Sequence, residues 1–394
     1  MKIAHIITRL ILGGAQENTL ITCRLLADRG HDVTLITGPA LGPEGNLYDQ
    51  AENQKFKLTI LNSLRRQINP FHDVPAYFKI KKLLNELKPD IIHTHSAKAG
   101  ILARFAGHAL KDNWAPNRPV VIHTIHGLAF HPYQKSILNK FYIAIEKAAA
   151  KRTDAFISVA DAMTNQALTA GIGSPHQFTT AYSAIEEDDF LTPIPQQQLN
   201  EFRKKYQIPT DAVLLVTIAR LFMLKGHDFI IESAKKLSKK FDKAVWLFVG
   251  NGNLADHYKN QVHDLGLNQK IRFTGLLAPS QIPLAIQASD ILVHCSLREG
   301  LARTLPQAML CARPAVSFDV DGAREAVNQT TGRLIEPKNV TQLCDACAEL
   351  ISSAQLRQSL GRAAQESVKQ KFAPDTMLNA IETLYKKLME DHSL

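Results

Sequence analysis

The stretch from Cys295 to Val327 reads CSLREGLARTLPQAMLCARPAVSFDVDGAREAV. It opens on Arg298-Glu299-Gly300, continues into a helical run marked by Leu305, Ala308 and Met309, and leaves through Arg313-Pro314 into a short apolar strand at 315–318. A carboxylate beside a glycine at a helix entrance offers two kinds of contact. Glu299 accepts hydrogen bonds from hydroxyls, while the backbone N–H groups around Gly300, Leu301 and Ala302 donate to phosphate oxygens. Gln307, two helical turns beyond Glu299, is expected on the same side, where its amide reaches a further hydroxyl. Carboxylate, anion cradle and amide together suit a ligand that is half sugar and half phosphate, a nucleotide sugar.

Upstream of this stretch the chain alternates strand and helix: strand at 213–219, helix at 229–237, strand at 244–249, helix at 254–265, strand at 271–274, then the strand at 291–294. That alternation is the mark of a parallel sheet in an α/β domain. Arg220 and Lys225 follow the first of these strands, five residues apart and beside a helix start, a placement that suits a diphosphate. A surface pair without a ligand is the bland alternative. Gly250-Asn251 forms a turn at the next strand end, and Leu276 follows the one after. Asp319-Val320-Asp321 has the form of a metal-binding DxD, but it follows a short strand and runs into Gly322-Ala323-Arg324-Glu325.

The N-terminal half has the same grammar. An apolar strand at 3–7 leads through Gly13-Gly14-Ala15 into a helix carrying Leu20, Ile21, Leu25 and Leu26, and then into a second strand at 33–36. The glycine loop brings N–H groups to a helix start where a phosphate can approach. It is not a dinucleotide fingerprint, since GxGxxG is absent and the second strand ends in Thr37-Gly38-Pro39 without an acidic residue. Strand ends at His93-Thr94-His95 and at His123-Thr124-Ile125-His126 deliver histidines to the sheet edge where open α/β sheets bind ligands. Their lack of an acidic neighbour argues against a metal centre. A helix at 76–87 carries Lys79, Lys81 and Lys82 on one side and apolar residues on the other, read either as a solvated basic face or as a face that leans on membrane. The polar, proline-containing stretch 188–198 is expected to be a linker between domains at 1–187 and 199–373, with a last helix in 374–394.

At 394 residues the chain accommodates two domains, and its 45% hydrophobic and 21% charged content is ordinary for a globular protein. No apolar run reaches the roughly 18–20 residues of a bilayer span, and five scattered cysteines fit a reducing compartment. The expected location is cytoplasmic. A net charge of +9 with few aromatics and no nucleic-acid motif excludes nucleic acid as the partner and leaves open a peripheral contact with anionic membrane at its inner face.

Glu299 and Gln307 stand at the ends of a Glu-x7-Glu pattern, here EGLARTLPQ. With Gly300, the Ala308-Met309 pair and Arg313-Pro314 before an apolar strand, the stretch resembles the donor-binding signature of the family-four, group 1 type retaining glycosyltransferases of the GT-B fold. The glutamine is a departure from the pattern. The resemblance extends over nearly the whole chain and implies two Rossmann-like, doubly wound α/β domains facing across a cleft. It implies that Arg220 and Lys225 hold the donor diphosphate, and that Gly13 and Gly14 lie near the phosphates and transferred sugar. Gly250, Asn251 and Leu276 would line the nucleotide site, and Gly300 and Leu301 would complete it. Glu299 would hold sugar hydroxyls, Gln307 the ribose, His126 the sugar or the acceptor, and His95 the acceptor side. The implied reaction moves a hexosyl or related group from a UDP- or GDP-sugar to a glycan or lipid-linked acceptor, with retention and with neither metal nor cofactor. An epimerase or phosphorylase on the same fold, or a non-catalytic sugar-nucleotide binder, is the alternative.

Overall fold

The computed structural model describes residues 1–41, 45–52, 54–110 and 118–393. The described residues form two all-parallel sheets with helices between successive strands. The chain divides into two units, Met1–Ala184 together with Pro374–Leu394, and Ile185–Ala373.

The first unit holds β1 (Lys2–Ile7), β2 (Asp32–Thr37), β3 (Lys57–Ile60), β4 (Ile91–His95), β5 (Val120–Ile125), β6 (Ala155–Ser158) and β7 (Phe178–Thr180), in the spatial order β3-β2-β1-β4-β5-β6-β7. β1 is buried after its first residue, and β4 and β5 are buried throughout. Strands covered on both faces need continuous apolar runs rather than alternation. One face packs Leu20 and Leu26 of the Gly14–Asp28 helix with Met377, Leu378, Ile381 and Tyr385 of the Pro374–Ser393 helix. The other receives Ala76, Ile80 and Leu84 of the Pro70–Leu87 helix and Ala99, Ala103 and Ala106 of the Ala97–His108 helix. The C-terminal helix is also held by charge: Arg29 reaches Asp375 at 2.9 Å and Glu382 at 2.5 Å, and His31 Nε2 lies 2.9 Å from Glu382.

The helix expected from residue 76 starts six residues earlier, at Pro70. The Asn69 side chain accepts from the Phe71 N–H, and Asp73 accepts from the Asn69 N–H. Pro70 sits at the first helical position, where its missing N–H costs nothing.

The second unit holds β8 (Val213–Ile218), β9 (Ala244–Val249), β10 (Ile271–Gly275), β11 (Ile291–His294), β12 (Ala315–Phe318) and β13 (Gly332–Ile335), in the order β10-β9-β8-β11-β12-β13. Trp246, Phe248, Tyr258 and Phe318 fill its core. The 188–198 stretch is not an extended linker. It lies in this unit, bracketed by helices Glu187–Leu191 and Gln196–Lys205 whose Phe190 and Phe202 are buried. Two apolar anchors outweigh the polar composition that hid them. In each sheet the strand order reverses once, between β1 and β4 and between β8 and β11. At such a reversal the loops leaving the strand ends diverge and open a crevice.

Candidate active site

The loops leaving β8 and β11 diverge at the reversal of the second sheet, yet they are tied together at their base. Leu297 N–H donates to the Leu224 carbonyl at 2.8 Å, and the Ser296 hydroxyl donates to the same oxygen at 3.2 Å. Leu224 and Gly226 both take positive φ, +69° and +76°. A Cβ on Gly226 would come within 1.9 Å of the Cys295 carbonyl oxygen, so this backbone contact requires glycine. The result sets Lys225 Nζ 2.5 Å from Glu299 Oε1, with His294 Nε2 3.6 Å from the same oxygen. Burial by itself would raise the Glu299 pKa. The Lys225 ammonium and the His294 ring outweigh it and hold the carboxyl well below the usual range.

The loop after β12 closes on the same point. Asp321 accepts from the Glu299 N–H at 2.6 Å, and the Gly322 N–H donates to the Gly300 carbonyl at 3.1 Å. Asp319 is bound by the Arg324 guanidinium through two contacts. The two acids of the DVD sequence therefore brace the Glu299 turn and an arginine.

Arg220 is exposed, with its guanidinium 5.0 Å above the Phe222 ring. The Gly250-Asn251 turn is sewn to it, since Leu221 N–H donates to the Asn251 carbonyl at 3.0 Å. Gly250 takes φ +140°, and a Cβ there would lie 2.1 Å from the Ala219 carbonyl oxygen. Leu276, just past β10, is an exposed apolar side chain. Leu301 is buried, and Gln307 retains 9% exposure. Glu299 stands on the turn at the entrance to the Thr304–Leu310 helix, and Gln307 lies on that helix. The N–H of Glu299, which precedes the Gly300–Ala302 cradle, is taken by Asp321.

In the first unit Gly13 caps the Gly14–Asp28 helix, and its carbonyl accepts from the N–H groups of Gln16 and Glu17 at 3.0 Å. His126 lies one residue beyond β5 and is partly exposed. His95 ends β4 but is 1% exposed, so the expectation that it touches the acceptor is corrected. Its Nδ1 lies 3.0 Å from His126 Nε2, which makes it a support for that residue. The histidine contacts around it were not readable from the sequence. His5, His93 and His95 bring nitrogens within 4.8 Å of one another, the arrangement nearest to a metal set among the described residues. His93 is engaged at both nitrogens, by Tyr385 Oη at 2.5 Å and Thr124 Oγ1 at 2.6 Å, and His5 Nδ1 faces His95 Nε2 at 2.9 Å. His93 is thus hydrogen-bonded outside the trio and His5 to His95 within it, and we assign no metal to them. His294 and Asp321 as partners of Glu299 were also missed. A histidine closing β11 was the one available hint of the first.

The glycosyl transferases group 1 family profile matches residues 199–367, and the glycosyltransferase family 4 profile matches residues 12–187. The chain is 27% identical to the Escherichia coli UDP-Gal:alpha-D-GlcNAc-diphosphoundecaprenol alpha-1,3-galactosyltransferase, over 88% of its own length and 87% of that enzyme's. It is 23% identical to the N-acetyl-alpha-D-glucosaminyl L-malate synthase of Bacillus anthracis, over 93% of this chain and 92% of that one. In three dimensions it resembles Anabaena HepE in complex with UDP and glucose, with a TM-score of 0.83, 20% identity, and coverage of 98% of this chain and 100% of that one. With one profile on each unit, the chain belongs to the group 1 glycosyltransferases of family 4 type and has their GT-B fold of two Rossmann-like domains.

Proposed function

We propose that the protein transfers a sugar from a UDP- or GDP-sugar to a lipid-linked or surface-glycan precursor, with retention of configuration and without a metal. The observation that carries this reading is the Lys225–Glu299 pair at the strand-order reversal of the second unit, a cation and an ionised carboxylate braced by three loops. Negative charge develops on the leaving diphosphate as the glycosidic bond breaks. Arg220 and Lys225 stabilise it from preset positions, which lowers the barrier because no reorganisation is required at that moment. Glu299, kept ionised, accepts hydrogen bonds from the hydroxyls of the transferred sugar. His126 binds the sugar or the incoming acceptor. The leaving phosphate takes the acceptor proton in a front-face displacement, so no separate base is named.

The names of relatives support the donor and acceptor classes, since the Escherichia coli enzyme is named for UDP-galactose and a diphosphoundecaprenol. A thermal-shift screen of UDP- and GDP-sugars, followed by transfer to a lipid-diphosphate acceptor in excess chelator, tests the proposal. A melting rise with at least one donor and turnover undiminished by chelator are expected. Turnover abolished by chelator and restored by manganese would bring Asp319 and Asp321 into the site and overturn the metal-free reading.

Gln307 is proposed to read the ribose. An amide keeps one acceptor oxygen and adds two N–H donors, and a ribose hydroxyl pairs with either. Gln307→Ala should raise the donor KM about fivefold to tenfold, the effect of one lost hydrogen bond. Gln307→Glu should stay active. A wild-type protein inactive with every donor, made active by Gln307→Glu, would mark the chain as non-catalytic.

The lipid-linked acceptor also gives meaning to an exposed face of the first unit. Phe71, Val74 and Phe78 stand on one stripe of the Pro70–Leu87 helix, 87%, 53% and 61% exposed, beside Lys79, Lys81 and Lys82. Ile137 and Phe141 of the Ser136–Ala150 helix are exposed too, beside Lys135 and Lys140. No helix among the described residues is long and apolar enough to cross a membrane. Apolar side chains set among lysines are the chemistry of an interfacial contact with anionic lipid. Binding to phosphatidylglycerol vesicles should fall with added salt and with Phe71→Ser/Phe78→Ser. Equal sedimentation with neutral and anionic vesicles would remove the membrane from the proposal.

A further inference from the structure

Glu299 receives its side-chain partners at one oxygen. Lys225 Nζ lies 2.5 Å from Oε1, and His294 Nε2 lies 3.6 Å from the same atom. Oε2 accepts no hydrogen bond from the described residues, and the side chain keeps 20% of its surface open. The two partners come from neighbouring strand ends. Lys225 is on the loop after β8, and His294 is the last residue of β11, which pairs with β8. Between His294 and Glu299 the chain turns back on itself, with the Ser296 hydroxyl 3.1 Å from the Arg298 carbonyl oxygen. That turn returns the Glu299 carboxylate to His294, which is buried.

We infer that His294 is a positioning residue for Glu299: its Nε2–H anchors Oε1 and leaves Oε2 aimed at the ligand. The proton belongs on Nε2 because of what that nitrogen faces. His294 Nε2 is buried and has no hydrogen-bond partner among the described residues, and the oxygen before it belongs to an ionised carboxylate. A lone pair on Nε2 would be set against the lone pairs of an anion. An N–H is attracted to them, and it completes a charge-assisted hydrogen bond once the two atoms close by a few tenths of an ångström. The argument holds for either charge state of the ring, since an imidazolium also carries a proton on Nε2.

A lysine by itself does not fix a carboxylate. Its ammonium is a point charge on a flexible stem and attracts either oxygen. His294 is held at a buried strand end, so a second donor arriving at Oε1 from there settles which oxygen faces inward. Lys225 has three N–H groups and can hold Oε1 and a phosphate oxygen together. As the diphosphate draws it, His294 keeps the carboxylate from swivelling. What Oε2 then meets rests on the proposed function: a hydroxyl of the transferred sugar. His294 thereby serves recognition of the sugar and not of the nucleotide.

Calorimetric binding of a UDP- or GDP-sugar, compared with bare UDP or GDP, separates this role from a merely structural one. His294→Leu should weaken the nucleotide sugar about fivefold to tenfold, the scale of one hydrogen bond, and leave the bare nucleotide within about twofold. His294→Gln, whose amide places an N–H near the position of Nε2, should bring the nucleotide sugar back to within about twofold of wild type. Equal weakening of both ligands, or weakening of neither, overturns the inference. Nitrogen-15 NMR of histidine-labelled, ligand-free protein tests the contact without any ligand. His294 should be protonated on Nε2, and Glu299→Gln should shift that resonance. An unprotonated Nε2 in the wild type, or a resonance that Glu299→Gln leaves in place, overturns the inference even if His294→Leu fails to fold. If the NMR result is as stated but no nucleotide or nucleotide sugar binds, the functional proposal fails and the anchoring of Oε1 stands.

Discussion

Arg220→Ala and Lys225→Ala should each cost on the order of 2–4 kcal/mol in the barrier to transfer, read as kcat/KM with the cognate donor. The two variants separate contact from folding. Arg220 is exposed and lies over Phe222, so its loss should leave the melting temperature nearly unchanged. Lys225 pairs with Glu299, and its removal takes away a principal influence that keeps that carboxyl ionised. Lys225→Ala should therefore also raise the Glu299 pKa and add an acid-side fall in activity that Arg220→Ala lacks. Lys225→Arg restores the charge but not the point geometry, and should recover only part of the rate. Turnover within threefold of wild type for both alanine variants would remove the diphosphate from this place in the structure.

Acid should unfold the first unit before the second. His5, His93, His95 and His123 of the first unit all have pKa values lowered by burial, with neighbouring positive groups adding to the effect for the last three. In the second unit His227 is lowered to about 3, by burial first and then by Lys225 and His294. A histidine whose folded pKa lies below its unfolded value binds more protons when unfolded. Its contribution is intact above about pH 6.5 and declines as pH falls from there toward the folded value. Each such histidine therefore withdraws stability as pH falls below about 6.5, and the first unit holds four of them against one in the second. Calorimetry across this range should show a falling melting temperature, with net proton uptake on unfolding. In a Trp114→Phe background, Trp246 in the core of the second unit reports that unit by fluorescence and should respond at lower pH. A melting temperature flat between pH 7 and 5 would mean these rings are charged or exposed.

Local chemistry explains what was legible before any coordinates. The alternation of apolar runs and helical stripes is a property of neighbouring residues, so two parallel α/β sheets could be read directly. The Glu299-Gly300 turn and the Arg220 to Lys225 spacing sit at strand ends, and a parallel sheet delivers strand ends to one edge whatever its exact register. The 188–198 stretch misled because composition counts polar residues, whereas burial of Phe190 and Phe202 depends on what they pack against. His95 misled for a related reason: a strand-end histidine reads as available, but covering by the rest of the unit left it 1% exposed.

By itself the sequence determined the two-sheet fold, the family and the strand-end loops proposed to form the donor site, because each depends on periodicity or on residues a few positions apart. Only the tertiary structure decided that Glu299 is held by Lys225 from 74 positions away and braced by Asp321, and that His5 stands behind His95 across 90 positions. Strand order and register set those pairings. Both follow from how separate segments bury one another's apolar faces, a choice that no single segment contains.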